Sequence, residues 1–141
     1  MAAEAKPLRG VRVLVVDDDA DNRELLVFVL EDAGAAVDTA DTVGDAFGAI
    51  ERRAPNVVVT DIRLPGGESG HDLLRRLRAR AGAGGGHIPV IALTGLGADD
   101  DDPHSAGPAF DIRLAKPADF DAVLAAVSCV LDTGARKNAT D

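Results

Sequence analysis

The chain has 141 residues, 46% of them apolar and only 3% aromatic, with a formal charge of −9. That length suits one domain around a single core, built from Val, Leu, Ile and Ala rather than from rings. The acidic balance argues against a nucleic-acid or anionic-membrane surface, and a single cysteine, Cys129, excludes an internal disulfide. No apolar run approaches membrane-spanning length, and residues 1–10 form a polar leader without an apolar signal core, so a cytoplasmic protein is expected.

After the leader, Val11-Arg12-Val13-Leu14-Val15-Val16 reads as a buried strand that stops at Asp17-Asp18-Asp19. A helix should follow from about Ala20 to Ala33. Leu26, Val29, Leu30 and Ala33 share one of its faces, and Gly34 sits where a C-terminal glycine belongs. Val37-Asp38-Thr39-Ala40 alternates as a short strand whose polar members suggest a sheet edge. Asp41 or Thr42 can cap a second helix carrying Phe47 and Ile50, which must close before Pro55. Val57-Val58-Val59-Thr60-Asp61 is a strand buried on both faces, followed at once by Ile62-Arg63-Leu64-Pro65. A loop from Pro65 to Gly70 leads into a third helix with Leu73, Leu74 and Leu77, and this decays into the glycine-rich stretch 82–86. Pro89-Val90-Ile91-Ala92-Leu93 is a fourth strand ending at Thr94-Gly95, and a fifth lies near Asp111–Ala115. The last helix should start about Ala118 and bury Phe120, Val123, Leu124, Val127 and Leu131. The polar end, Thr133 to Asp141, is expected to fray.

Between Leu93 and Asp111 the alternation calls for another helix. The segment holds Gly97, four consecutive aspartates from Asp99 to Asp102, Pro103, Gly107 and Pro108. An internal proline costs a helix about 3 kcal/mol, and adjacent like charges add repulsion. Any helix there should be short or irregular.

Strands alternating with helices require a parallel sheet covered on both faces, joined by right-handed crossovers. The expected organisation is a polar leader at 1–10, one α/β domain over 11–132 and a flexible tail at 133–141. In a parallel sheet every strand opens on the same edge at its C-terminal end, where such folds hold their ligands. That edge would gather Asp17 and Asp18 after strand one, Asp61 at the end of strand three, Thr94 after strand four and Lys116 after strand five. Three clustered carboxylates repel unless a cation neutralises them. Oxygen-only donors with room for water suit Mg²⁺ rather than zinc or copper. Lys116 supplies a point charge for a phosphoryl group, the Thr94 hydroxyl and nearby backbone N–H groups can hold its oxygens, and Asp61 is left as a carboxylate nucleophile.

With these residues in place, the sequence resembles the CheY-like receiver domains of two-component response regulators. The resemblance runs from about Val11 to Leu131. It rests on Val-Val-Asp17-Asp18, Thr60-Asp61-x-x-Leu-Pro65, Leu93-Thr94-Gly95 and Ala115-Lys116-Pro117, in order at successive strand ends. It implies a doubly wound five-stranded parallel sheet in the flavodoxin-like order 2-1-3-4-5. It also implies that Asp61 takes a phosphoryl group from a phosphohistidine on a histidine kinase or histidine phosphotransfer protein. Asp18, Asp61 and the Arg63 backbone carbonyl would hold Mg²⁺, Asp17 would act directly or through water, and Thr94, Gly95 and Lys116 would line the phosphoryl site. The Lys116-Pro117 bond would be cis. A downstream protein target would read the switched surface, with no nucleic acid and no membrane involved. The family carries Tyr or Phe three residues before the lysine, where this chain has Arg113. Arg113 is expected to pair with the Asp99–Asp102 run in one state and release it in another. The Pro65–Gly70 loop also looks one residue longer than the family's.

Two other functions fit parts of the pattern. A binding module that keeps the acidic pocket but signals without phosphorylation would explain Arg113 and the broken fourth helix. A Mg²⁺-dependent phosphohydrolase would use Asp61 as nucleophile, but it needs a second carboxylate as general acid, and Arg63 stands two residues on. His71, His87 and His104 show no ligand spacing and read as exposed structural histidines, and Cys129 reads as packing. Residues 82–86 lack the Gly-Lys-Ser/Thr of a phosphate-binding loop.

Overall fold

The computed structural model describes residues 7–63, 69–81, 87–94, 110–115 and 119–139, with side chains placed up to residue 131. Five strands, β1 (Arg12–Val16), β2 (Ala36–Ala40), β3 (Val57–Asp61), β4 (Val90–Thr94) and β5 (Ile112–Ala115), form one sheet. Their order is β2-β1-β3-β4-β5, and every pairing is parallel. The helices are α1 (Ala20–Asp32), α2 (Val43–Arg52), α3 (Gly70–Arg80) and α4 (Phe120–Ala139). This is the doubly wound fold expected from the alternation, with β2 at one edge.

The strands are short runs of β-branched residues because both faces of the sheet are covered. On one face Leu14, Val16, Val58, Val90 and Ala92 pack beneath α2 and α3 through Ala46, Ile50, Leu73, Leu74 and Leu77. On the other, Val13, Val15, Val57, Val59, Ile91 and Leu93 meet α1 and α4 through Leu26, Leu30, Val123 and Val127. Residue parity along each strand divides the two cores, as the period of two in a strand demands. Phe47 stays half-buried on α2, with the Arg76 guanidinium 4.5 Å from its ring centroid.

Local chemistry sets the helix limits. Asp19 caps α1, accepting from the backbone N–H groups of Asp21 and Asn22. The helix ends at Ala33, and Gly34 follows with φ of 105°, the left-handed position that glycine fills without strain. Thr42, the second of the two candidate caps, accepts from Asp45 N–H to start α2. Ser69 and Asp72 form a reciprocal capping box at α3, with Ser69 N–H donating to Asp72 Oδ2 at 2.8 Å.

Several expectations are corrected. α4 begins at Phe120 rather than near Ala118, since Asp119 takes the capping role by accepting from Asp121 N–H. The first-turn position leaves Phe120 exposed rather than buried. From Phe120 the helix is continuous in its backbone to Ala139. Cys129 is exposed, not packed. His71 is half-buried rather than exposed. Its ring lies 5.0 Å from that of Phe110, which is itself buried in the core under α3. The irregular helix expected around Asp99–Asp102, the glycine-rich stretch 82–86 and His104 lie outside the described residues. Among the described residues no helix is long and apolar enough to cross a membrane.

Candidate functional site

The site is assembled by the register of two neighbouring strands. Val16 on β1 pairs with Thr60 on β3, so Asp17 and Asp61 emerge side by side at the same edge. Asp17 is fully buried, Asp61 nearly so and Asp18 exposed, and one carboxylate oxygen from each lies within 4.8 Å of the others. The aspartate triplet after β1 therefore divides its labour: Asp19 caps α1 while Asp17 and Asp18 face the cluster.

Each buried carboxylate is held by N–H donors. Asp17 Oδ1 accepts from Asp19 N–H at 2.9 Å, and its Oδ2 accepts from the Asn22 side-chain amide. The Arg23 guanidinium donates to the Asp17 main-chain carbonyl at 2.7 Å, and Asp17 N–H itself donates to Ala40 on β2. Asp61 Oδ1 accepts from Arg63 N–H at 3.3 Å, while the Thr60 hydroxyl donates to the Asp61 carbonyl at 2.9 Å. Gly70 opens α3 directly against this turn. Its N–H donates to Ile62 at 2.7 Å, and a Cβ built on it would stand 2.8 Å from the Asp61 carbonyl oxygen.

Thr94 ends β4, one residue beyond Leu93, which pairs with Asp61, and opposite Ala115 at the end of β5. It thus occupies the expected edge, half-buried. Arg63 is exposed and pairs with Ser69 through an isolated antiparallel bridge. Gly95, Lys116 and the Lys116-Pro117 bond lie outside the described residues, as do Leu64, Pro65 and the loop length. Asn22 and Arg23 belong to no motif read from the sequence, and Thr60 and Gly70 enter that reading only as a motif neighbour and a loop end, without a role at the site. An Asn five residues after a candidate ligand is the one signal that could have drawn attention, and its meaning depends on the turn between them.

At the position expected to carry an aromatic ring, Arg113 is exposed on β5. Its guanidinium stands 5.4 Å from the ring centroid of Phe110. Phe110 is buried and precedes β5, where Asp111 N–H donates to Val90 at the start of β4, so its backbone lies at the opposite end of the strands from Thr94 and Ala115.

An all-oxygen donor set, two members buried and one open to solvent, fits a hard divalent cation better than a soft metal.

The family model for the response regulator receiver domain matches residues 13–128. The chain belongs to that family. As a receiver domain it is a phosphoacceptor of two-component signalling, a class whose partners are histidine kinases. The receiver is 38% identical over 112 residues to an uncharacterized 14.6 kDa protein of Leptolyngbya boryana, covering 79% of this chain and 83% of that one. It is 39% identical over 132 residues to the transcriptional regulatory protein FixJ of Azorhizobium caulinodans, covering 89% of this chain but 57% of FixJ. A CheY-like receiver domain protein from Methanospirillum hungatei superposes with a TM-score of 0.78 at 27% identity, covering 90% of this chain and 98% of that one.

Proposed function

We propose that the unit from 11 to 132 takes a phosphoryl group onto Asp61 from a phosphohistidine, on either a histidine kinase or a histidine phosphotransfer protein. The observation that carries this reading is the convergence of Asp17, Asp18 and Asp61 within 4.8 Å at one sheet edge, two of them buried. A carboxylate oxygen of Asp61 attacks phosphorus, the bond from phosphorus to the imidazole nitrogen breaks, and the imidazole leaves with the electron pair. Asp17, Asp18, Asp61 and the Arg63 carbonyl would hold Mg²⁺, which when bound neutralises charge on the transferring oxygens. Thr94, Gly95 and Lys116 would receive those oxygens. Asp61 is pre-set for attack by Arg63 N–H on Oδ1 and by the Thr60 hydroxyl on its carbonyl.

The output is a protein-interaction surface biased by the new charge, not a metabolic turnover. The chain's formal charge of −9 favours protein over nucleic-acid or membrane partners, and a cytoplasmic setting suits a kinase-fed switch. The polar leader, 1–10, and the tail, 133–141, flank the unit in this scheme.

Intact-protein mass spectrometry after incubation with phosphoramidate and Mg²⁺ tests the reading. One phosphoryl group that requires Mg²⁺ and is lost in Asp61→Asn is the expected result. A second reading, signalling without phosphorylation, draws on Arg113 standing in the aromatic position. Intact Mg²⁺ binding with no phosphoryl uptake would favour it.

A further inference from the structure

Among the described residues, Asp17 is the one acidic group at the site that is fully buried, and its surroundings are unusual for a buried carboxylate. Burying a charge is costly unless it is paired or hydrogen-bonded. Among the described residues, the Arg23 guanidinium approaches Asp17 but donates to its main-chain carbonyl, at 2.7 Å. Both carboxylate oxygens are instead met by neutral donors, the Asp19 N–H and the Asn22 side-chain amide. A neutral donor fixes the orientation of a carboxylate and satisfies lone pairs while leaving its full negative charge for a cation. A lysine at the same place would be a resident counter-ion.

Asn22 is itself well placed for this task. It sits in the first turn of α1, and its backbone N–H donates to the capping Asp19 at 3.3 Å. Its main chain is thus tied to one aspartate of the triplet and its side chain to another. We propose that Asn22 is a positioning residue that sets how strongly the Asp17–Asp18–Asp61 cluster binds a divalent cation. The inference rests on reading that cluster as the cation site.

Partners in the second layer around a metal site typically change affinity by about 10–100-fold when removed. Asn22→Ala should therefore weaken Mg²⁺ binding by roughly tenfold, the low end of that range, because Asp19 N–H still holds Oδ1. Asn22→Lys should weaken it further while leaving the melting temperature of the Mg²⁺-free protein unchanged or raised, since the ammonium replaces the cation as partner of Asp17. Asn22→Gln, which keeps the amide, should recover part of the loss. The full chain carries neither Trp nor Tyr, so calorimetric titration with MgCl₂ and melting followed by circular dichroism are suitable assays.

A residue with only a structural role would lower the metal-free melting temperature in Asn22→Ala and Asn22→Lys alike and leave the Mg²⁺ dissociation constant where it was. That pattern, or unchanged affinity in Asn22→Lys, overturns the proposal. Absence of Mg²⁺ binding in the wild-type chain overturns the cluster reading and this inference with it. Wild-type binding that the three variants do not alter overturns only the inference.

Discussion

Replacing Gly70 with alanine tests how tightly α3 is seated on the phosphoacceptor turn. The added Cβ would stand 2.8 Å from the Asp61 carbonyl oxygen and 3.1 Å from the Ile62 Cα, both backbone atoms that cannot swing aside. Gly70 is not among the described glycines at positive φ, so the cost is steric and not conformational. Overpacking of this kind costs about 1–3 kcal/mol. Lifting the helix also stretches the 2.7 Å bond from Gly70 N–H to Ile62, worth about 0.5–1.5 kcal/mol. Against this, alanine gains at most about 1 kcal/mol of helix propensity, and less at a first-turn position. The net expectation is a loss of about 1–3 kcal/mol, or about 4–10 °C in melting temperature for a domain of this size. Urea unfolding followed by circular dichroism measures it. Gly44→Ala in the first turn of α2 is the control: a Cβ there meets nothing within 4 Å, so the same substitution should cost nothing and stabilise by at most about 0.5 kcal/mol. Should Gly70→Ala match or exceed the wild type in stability, the close approach described here has no energetic consequence and the argument fails.

Gly34→Ala should cost about 1 kcal/mol for a third reason, the left-handed backbone at φ 105°, and the urea midpoint would fall with unchanged slope. Asp111→Ala removes the acceptor shared by Arg78 Nη2 at 2.9 Å and Val90 N–H at 2.8 Å, and should cost about 1.5–3 kcal/mol by the same assay. Thr42→Ala strips the α2 cap from Asp45 N–H and should cost about 1 kcal/mol, whereas Thr42→Ser should retain most of it. Mg²⁺ at about 100 times its dissociation constant should stabilise the receiver by about 2.7 kcal/mol, seen as a rise in melting temperature. EDTA should reverse the rise, and Asp18→Asn should blunt it.

The sheet was legible because its strands are buried on both faces. Val57-Val58-Val59 and Val13–Val16 have few alternatives to a central parallel strand, and the aspartates that end them then fall at one edge. What escaped the sequence depended on neighbours distant along the chain. His71 looked like a surface histidine until Phe110, brought in by β5, covered its ring. Phe120 looked like core by its size, but a single capping residue, Asp119, puts it in the first turn and on the outside. Asn22 reads as an ordinary polar residue in a helix's first turn, and only the turn at Asp17–Asp19 shows that it faces a buried charge. Its neighbour Arg23 would have been paired with the Asp17 carboxylate on charge alone, yet it bonds the main-chain carbonyl.

The pairing of Val16 with Thr60 has a consequence for how such a site can change. Adjacent strands stand about 4.8 Å apart, a distance fixed by the peptide hydrogen bond and indifferent to side chains. The sheet thus acts as a ruler between Asp17 and Asp61. Loops at this edge are free to lengthen, shorten or exchange partners without moving those two carboxylates relative to each other. Only a bulge or a one-residue slip in β3 would respace them, and a slip would also turn Val57, Val58 and Val59 each toward the opposite core. Descent from a common ancestor can therefore remodel recognition at the rim freely, while the spacing of the carboxylate pair is inherited with the fold itself.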